Sequence, residues 1–508
     1  MKLNQIKAGI ILNYVLIGLQ ALVGLLYTPY MLRMLGQNEY GLYSLVSTVI
    51  AYLTVLDMGF GSAVVRYTAR LKTLRKIDEQ QKMFGMFLIL YIGLGFLAFV
   101  LGLGLYFNVE NMFGDTMTPL EVQKAKIMML LLVLNISLSF PLSVFSSVIQ
   151  AYEHFVFLKS LEIIRISLST VVMITLLFWG YKAVALVVVQ TFFHISMLLL
   201  HWYYGIKKIK MKFTFGEINW SFLKEVGLYS FWIFIMIIVD KIYWGTGQFV
   251  LGATVGTAAV AVFSIAIQLH TMYQSFSTSI STIFLPKVSA MVAESGKEKE
   301  ISDLFIRTGR IQFVVLSFIL SIIIIFGKPF IVLWAGGSYE LAYSMLLLFI
   351  VPGTIPLIQN MGIVILQARN QMKFRALCYL GISICSLFMQ ILLVHLLGTI
   401  GCAFAISGAL IIGHIIIMNL YYKHKQKIDI KCFWSNILKM CTMPFAFSLI
   451  SYTIIYYFKI EINNWLPLIF GIVCFASLYF PLSYRFQMNE YERNLFMTPI
   501  KKVLRRNN

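Results

Sequence analysis

Residues 27–70 read YTPYMLRMLGQNEYGLYSLVSTVIAYLTVLDMGFGSAVVRYTAR, a stretch that would be misplaced in a soluble protein. An apolar run stops at a short polar hairpin (Arg33, Gln37, Asn38, Glu39). A second apolar run returns, carrying Asp57, Gly59, Gly61 and Arg66 before a basic exit. Ionisable side chains inside a membrane span are costly, so they face a water-filled path or a partner rather than lipid. The stretch therefore predicts two membrane helices lining part of a transport pathway.

The rest of the chain continues the pattern. Of 508 residues, 59% are hydrophobic and 12% are charged, against about a quarter charged in ordinary soluble domains. Runs long enough to cross ~30 Å of hydrocarbon recur throughout. They predict about fourteen helices, over 9–33, 41–66, 84–107, 127–150, 157–180, 183–205, 226–251, 258–286, 311–334, 341–366, 376–397, 400–422, 434–458 and 464–484. No region is polar enough for a sizeable soluble domain. Residues 1–7 lead directly into the first run with no small-residue cleavage site after it, so that helix is expected to remain in the mature protein.

The net charge of +20 follows membrane topology rather than a nucleic-acid partner. With the N-terminus cytoplasmic, 32 of the 41 Lys and Arg residues fall on the cytoplasmic side, as the positive-inside rule demands. Six fall outside (Arg33, Lys124, Lys126, Lys182, Lys328, Lys459), and three lie within spans: Arg66, Arg165 and Lys241. Both termini are expected in the cytoplasm. The longest outer loop, 108–126, leaves no room for an extracytoplasmic catalytic domain. Six cysteines, none in a CxxC pair, indicate neither a metal site nor a disulfide framework and read as small core residues. Seven scattered histidines lack metal-ligand spacing. There is no phosphate-binding GxxxxGK[ST] loop and no nucleophile–base constellation, so no catalytic residue, metal or cofactor is expected and the chain is not read as an enzyme.

A weak internal repeat is visible. Helices 1 and 2 pivot on Leu35-Gly36, helices 7 and 8 on Leu251-Gly252. With four extra residues allowed in the second hairpin, Tyr43-Ser44 falls on Phe263-Ser264 and Arg66 on Pro286. Two six-helix lobes of one topology, with two helices added at the C-terminus, follow from it, and a parallel repeat of this kind is a known transporter plan.

Polar residues mark helix faces. Helix 8 carries Ser264, Gln268, Thr271, Ser275, Thr278 and Thr282 in one stripe; helix 4 carries Asn135, Ser139, Ser143, Ser146 and Gln150. Helix 1 offers Asn13 and Gln20, helix 10 Asn360. Ser and Thr alone are ordinary helix-packing residues, whereas Asn and Gln cost more to bury unpaired and point to a hydrated cavity. Asp57 and Arg66, nine residues apart on a regular helix 2, would point to opposite faces. Arg66 can anchor at the cytoplasmic interface; Asp57 is deeper, with Gly59 and Gly61 as a candidate hinge. On helix 7, Asp240 and Lys241 diverge by about 100°, and a deep cation calls for an anionic ligand or a counter-charge. Lys159, Glu162 and Arg165 can satisfy one another along helix 5.

LGQNEYGLYSL at 35–45, followed by LDMGFGSAVVRY at 56–67, resembles the N-terminal signature of bacterial polysaccharide flippases. These are the Wzx-type exporters of O-antigen and capsule repeat units in the multidrug/oligosaccharidyl-lipid/polysaccharide superfamily. The specific motif is confined to about residues 29–70, while length and helix plan agree along the chain. Several relatives have twelve helices; the extra pair is similar to the fourteen-helix members, including the lipid II flippases.

The resemblance implies an all-α integral membrane fold of MATE- and MurJ-like topology around a V-shaped central cavity. The expected divisions are an N-lobe at 1–215, a C-lobe at 216–430, and two added helices with a basic tail at 431–508. The implied activity is alternating-access translocation of an oligosaccharide on undecaprenyl pyrophosphate across the bacterial cytoplasmic membrane, for surface polysaccharide assembly. Arg66, Lys241 and Arg165 are the pyrophosphate candidates. Asn13, Gln20, Asn135, Gln150, Gln268, Gln274 and Asn360 are the sugar or cavity candidates, and Asp57 or Asp240 would couple H+ or Na+. Membrane lipid and the polymerase or glycosyltransferase machinery are the other expected partners. The rivals are a MATE-like drug/cation antiporter, a lipid II flippase, and a membrane enzyme such as a polymerase or ligase. The antiporter would want acids in helices 1 or 7, but helix 1 has none and helix 7 balances Asp240 with Lys241.

Overall fold

The computed structural model describes residues 5–216, 220–281, 284, 288, 291–292, 297–369 and 371–495. Among them every regular element is helical and there is no strand, as expected where lipid leaves the backbone to satisfy its own polar groups. Thirteen helices among the described residues are long and apolar enough to cross a membrane. A further helix, Thr257–Ser281, has the length at 25 residues but carries Gln268, His270, Thr271, Gln274 and Ser275 through its middle. The protein is a multi-pass, all-α membrane protein, with the helix plan read from its hydropathy.

The chain divides into two compact units, Met1–Ser264 and Ile265–Asn508. The first holds α1 (Gln5–Leu35), α2 (Gln37–Ala51), α3 (Phe60–Thr73), α4 (Ile77–Phe113), α5 (Pro119–Ala151), α6 (Phe155–Phe178), α7 (Ala183–Lys207), α8 (Trp220–Thr254) and the start of α9 (Thr257–Ser281). A capping box opens α5: Thr118 Oγ1 accepts the Glu121 N–H at 3.3 Å, and Glu121 accepts the Thr118 N–H at 2.9 Å, with Pro119 at the first helical position. Phe84, Phe87, Tyr91, Phe140 and Phe145 from α4 and α5 form the buried aromatic core of this unit.

The second unit contains α10 (Glu298–Ala335), α11 (Leu341–Ile358), α12 (Met361–Ala368), α13 (Met372–Leu397), α14 (Thr399–Ala409), α15 (Met418–His424), α16 (Ile430–Tyr457) and α17 (Trp465–Leu482). A π-helical segment, Leu410–Ile417, joins α14 to α15 within one span. The C-terminal pair packs on α10 through Phe326, Leu468, Phe475 and Tyr479. Beyond α17, Glu492 grips Arg310 of α10 in two bonds of 2.6 and 3.0 Å.

Two spans expected to be continuous are broken. In the span read at 41–66, α2 ends at Ala51, a tight 3₁₀ turn covers Tyr52–Asp57, and α3 restarts at Phe60. Met58 (φ 50°) and Gly59 (φ 73°) between them are both left-handed. Glycine adopts that conformation freely, while for Met58 it costs about 1–2 kcal/mol. In the span read at 341–366, Pro352 and Pro356 lie inside α11, which stops at Ile358 before α12 begins. Each proline removes a helical N–H and crowds the preceding turn.

The repeat is simpler than its sequence alignment. The α1–α2 joint is Gly36 (φ 79°) and the α8–α9 joint is Gly256 (φ 117°), the same 220-residue offset that relates Ser44 to Ser264. Leu251-Gly252 still lies inside α8, so the pivot moves to Gly256 and no extra residues are needed. Pro286 and Thr282 lie outside the described residues.

Four of the exceptions to the charge rule have the following partners. Lys124 pairs with Glu39, Lys126 with Glu110 at 2.9 Å and Lys328 with Glu340 at 2.7 Å. Lys182 Nζ donates to the Met34 carbonyl at 2.9 Å near the end of α1. Of the six cysteines, all free, only Cys402 is buried, so the reading of core cysteines holds for that one.

Candidate transport site

The break between α2 and α3 decides where Asp57 points. Its Oδ1 accepts the Tyr91 hydroxyl at 2.8 Å, and the carboxylate also accepts the backbone N–H groups of Gly59 and Gly61. It thus sits at the positive N-terminal end of α3, where a carboxylate is favoured. The opposite-faces argument for Asp57 and Arg66 assumed one regular helix, and the break removes that assumption. Arg66 is exposed midway along α3, with its guanidinium carbon 5.9 Å from the Tyr67 ring centroid.

Within the first unit α2, α8 and α9 share a polar knot. Ser44 and Ser264, which the repeat sets in equivalent positions, have their hydroxyls 2.7 Å apart. Gln248 Nε2 donates to Ser264 at 2.8 Å and to Ser44 at 3.2 Å, while Thr48 donates to Gln248 Oε1. Two turns down α8, on the face of Gln248, lies Lys241, half-buried. Asp240 beside it is exposed. The two charges are within electrostatic reach, yet neither has an ion pair within 4 Å among the described residues.

A second cluster joins α5, α6 and α7. Asn135, only 8% exposed, has its Oδ1 2.7 Å from His194 Nδ1, and Ser139 also donates to that oxygen at 3.3 Å. Arg165 reaches His194 and Glu162 electrostatically, while Glu162 lies 3.7 Å from Lys159. The expected ladder along α6 is therefore partly formed, and the Arg165 Nε is buried without a hydrogen-bond partner among the described residues. His201, 5% exposed, has neither ring nitrogen hydrogen-bonded among the described residues. Both histidines escaped the sequence reading because only metal spacing was sought. Their signal was a titratable ring in mid-span.

In the second unit Asn360, 7% exposed, donates to Ser277 Oγ at 3.2 Å, as does Gln312 at 3.1 Å. Gln359 donates to Asn419 Oδ1 at 2.8 Å, and Trp434 Nε1 to the same oxygen at 2.9 Å. Asn135 and Asn360, expected on a cavity wall, are thus engaged in helix–helix contacts. Gln268, Gln274 and Asn13 are half-buried, and Gln20 and Gln150 are exposed. Along the stripe of α9, Thr271 and Ser275 bond back to the carbonyls of Ile267 and Met272, the usual self-satisfaction of helical hydroxyls. Arg375, among the 32 cations assigned to the cytoplasmic side, is buried at 9% exposure over the Tyr379 ring, which stacks on His414 at 4.0 Å.

Among the described residues, thirteen helices able to cross a membrane together with α9, two of the spans interrupted and with charged and amide side chains inside them, define the class as a multi-pass helical membrane fold. Solved structures share it. The chain is 18% identical to a structure titled "Lipid II flippase MurJ, inward closed conformation", covering 97% of this chain and 99% of that one with a TM-score of 0.70. An inward-facing multidrug resistance MATE family transporter of the MOP superfamily is 15% identical, covering 82% of this chain and 95% of that one with a TM-score of 0.64. Residues 6–292, more than half of the chain, match the family described as "Polysaccharide biosynthesis protein", and the chain belongs to that family. No curated protein matches the sequence.

Proposed function

We propose that the protein translocates oligosaccharide repeat units linked to undecaprenyl pyrophosphate across the bacterial cytoplasmic membrane by alternating access, with both termini cytoplasmic. Family membership over 6–292 carries this reading, and the fold shared with a lipid II flippase supports it. A pyrophosphate–sugar head cannot cross hydrocarbon unaided; cations on the path stabilise its charge while the prenyl tail stays in lipid. Lys241 is the leading residue for that task, a half-buried ammonium in mid-span with no ion pair among the described residues. Arg66 and Arg165 serve as further anchors, and Gln20, Gln150, Gln268, Gln274 and Asn13 supply hydrogen bonds to sugars. Asn135 and Asn360 act by positioning their partners. Asp240, exposed beside Lys241, is the better coupling carboxylate, because Asp57 already accepts three hydrogen bonds. The working lobes are proposed as 1–215 and 216–430.

The test is a deletion strain complemented with Lys241→Ala. Lost surface polysaccharide and accumulated lipid-linked repeat units, with wild-type amounts of protein in the membrane, are expected. Unchanged polysaccharide refutes the role of Lys241. Normal glycan in the deletion strain with altered drug sensitivity favours a cation antiporter instead.

A further inference from the structure

Apart from these intramembrane charges, the first unit holds a cavity of about 350 Å³ at the ends of α1, α6 and α7. One wall is apolar: Phe157, Leu161 and Ile164 follow at four- and three-residue spacing on a single face of α6. The other wall is polar, from His154, Ser160, Tyr204 and Gln5. The same α6 face continues beyond the cavity through Leu168 and Val171, which with Ile164 are 51%, 61% and 52% exposed respectively. From Phe157 to Val171 this makes an apolar track of about 21 Å, the reach of one acyl chain.

The polar wall is set up as a donor site. Phe157 stacks on Tyr204 at 3.8 Å and fixes the phenol, whose oxygen lies 2.7 Å from His154 Nδ1. When the phenol donates to Nδ1, the neutral imidazole carries its proton on Nε2, which has no partner among the described residues. The Ser160 hydroxyl has none either. Two exposed ammonium groups stand close by. Lys72 Nζ is 4.3 Å from the Tyr152 ring centroid, and Lys72 and Lys208 both act electrostatically on His154. Neither lysine is ion-paired among the described residues. Burial, and then these two cations, hold the imidazole below its ordinary pKa and so keep it neutral.

We propose that this cavity binds the phosphate headgroup of an anionic lipid, with Lys72 and Lys208 supplying charge, His154 and Ser160 donating hydrogen bonds, and one acyl chain lying along α6. A basic pocket between helices at the membrane face is the physical setting in which acidic lipid headgroups bind. Zwitterionic lipid gains little there, since its own ammonium meets the lysines. Inorganic phosphate lacks the apolar contact that a buried acyl chain makes along α6.

The experiment is native mass spectrometry of the full-length protein in detergent, titrated with phosphatidylglycerol, phosphatidylcholine or inorganic phosphate. Phosphatidylglycerol is expected to bind at least ten-fold tighter than phosphatidylcholine, with inorganic phosphate not retained. K72Q/K208Q should lose that preference at an unchanged unfolding temperature, since both lysines are exposed. A control pair, K423Q/K425Q, should keep it. Equal retention by wild type and K72Q/K208Q overturns the proposal, as does an equal loss in the control pair. Retention of inorganic phosphate as tight as that of the lipid overturns the lipid assignment.

Discussion

Asp57→Ala tests the cap at the broken second span. The carboxylate accepts from the Tyr91 hydroxyl, whose residue is 0% exposed, and from the N–H groups of Gly59 and Gly61. Alanine strands the Gly59 and Gly61 N–H groups, each at about 1–3 kcal/mol, while the Tyr91 phenol keeps Ser143 as a hydrogen-bond neighbour. With the low end for each of the three donors, the loss is about 3 kcal/mol. Asp57→Asn keeps an acceptor oxygen but loses the charge, for about 1–2 kcal/mol. Tyr91→Phe in the Asp57→Ala background removes the phenol left with Ser143 alone and should recover about 1 kcal/mol. The assay is SDS-induced unfolding of the purified protein followed by tryptophan fluorescence. If Asp57→Ala is as stable as wild type to within about 0.5 kcal/mol, or Tyr91→Phe recovers nothing, the capping argument fails. The asparagine variant then separates two roles: full complementation leaves Asp57 a cap, whereas lost translocation by a folded protein assigns it to coupling.

Other perturbations follow from the same contacts. Glu492→Ala strands a guanidinium that is 12% exposed opposite a carboxylate at 0%, so it should cost about 3–5 kcal/mol; the double change R310M/E492M should restore most of it, and a single variant as stable as wild type refutes the pair. Gly59→Ala combines a left-handed φ of 73° with a new Cβ 2.7 Å from Ile233 Cγ2, and Ile233→Ala should relieve the steric part in a double-mutant cycle but not the backbone part. Gln248→Leu should cost only about 1 kcal/mol by SDS titration, because Ser44 and Ser264 keep each other and Ser264 also donates to the Val260 carbonyl at 2.6 Å. His154 has a folded pKa depressed below 6.5. Its contribution is therefore fully present above the unfolded value and is lost as pH falls through the folded one. Stability of wild type should fall more steeply than that of His154→Gln as acidity increases across that window; parallel profiles refute it.

Hydropathy made the helix plan legible because each span must carry its own apolar surface, and the run from Tyr27 to Arg70 already held the pattern. Breaks within spans were harder to read. Gly59 and Gly61 hinted at a hinge, but the turn at 52–57 depends on Asp57 reaching two N–H groups and the Tyr91 hydroxyl on another helix. The repeat offset was hidden by a second Leu-Gly, at 251–252, which lies inside α8, whereas the positive φ of Gly256 marks the true joint. Among the candidate residues, chemistry and depth were readable but side-chain direction was not. Asn135 faces His194 and Asn360 faces Ser277 because of helix rotation, and single-chain periodicity cannot fix rotation when both faces are apolar.

That rotation narrows the candidates. A polar side chain already held by its neighbours must break those bonds before it can hold a ligand, and in a low-dielectric interior the broken bond is not replaced by water. Asp57, Asn135 and Asn360 are in this position. Lys241 is not: it lies two turns from the Ser44–Gln248–Ser264 knot with no hydrogen bond or ion pair among the described residues. An uncommitted ammonium at that depth raises the energy of the empty protein, and an anion lowers it by the same interaction. Lys241 ranks above Arg66, which is exposed midway along α3 and can be hydrated there. Lys241→Met, which removes the charge but keeps the bulk, is expected to leave a protein at least as stable as wild type by SDS titration and inactive in translocation. Marked destabilisation would mean that Lys241 holds the fold together and does not serve the proposed binding of a pyrophosphate.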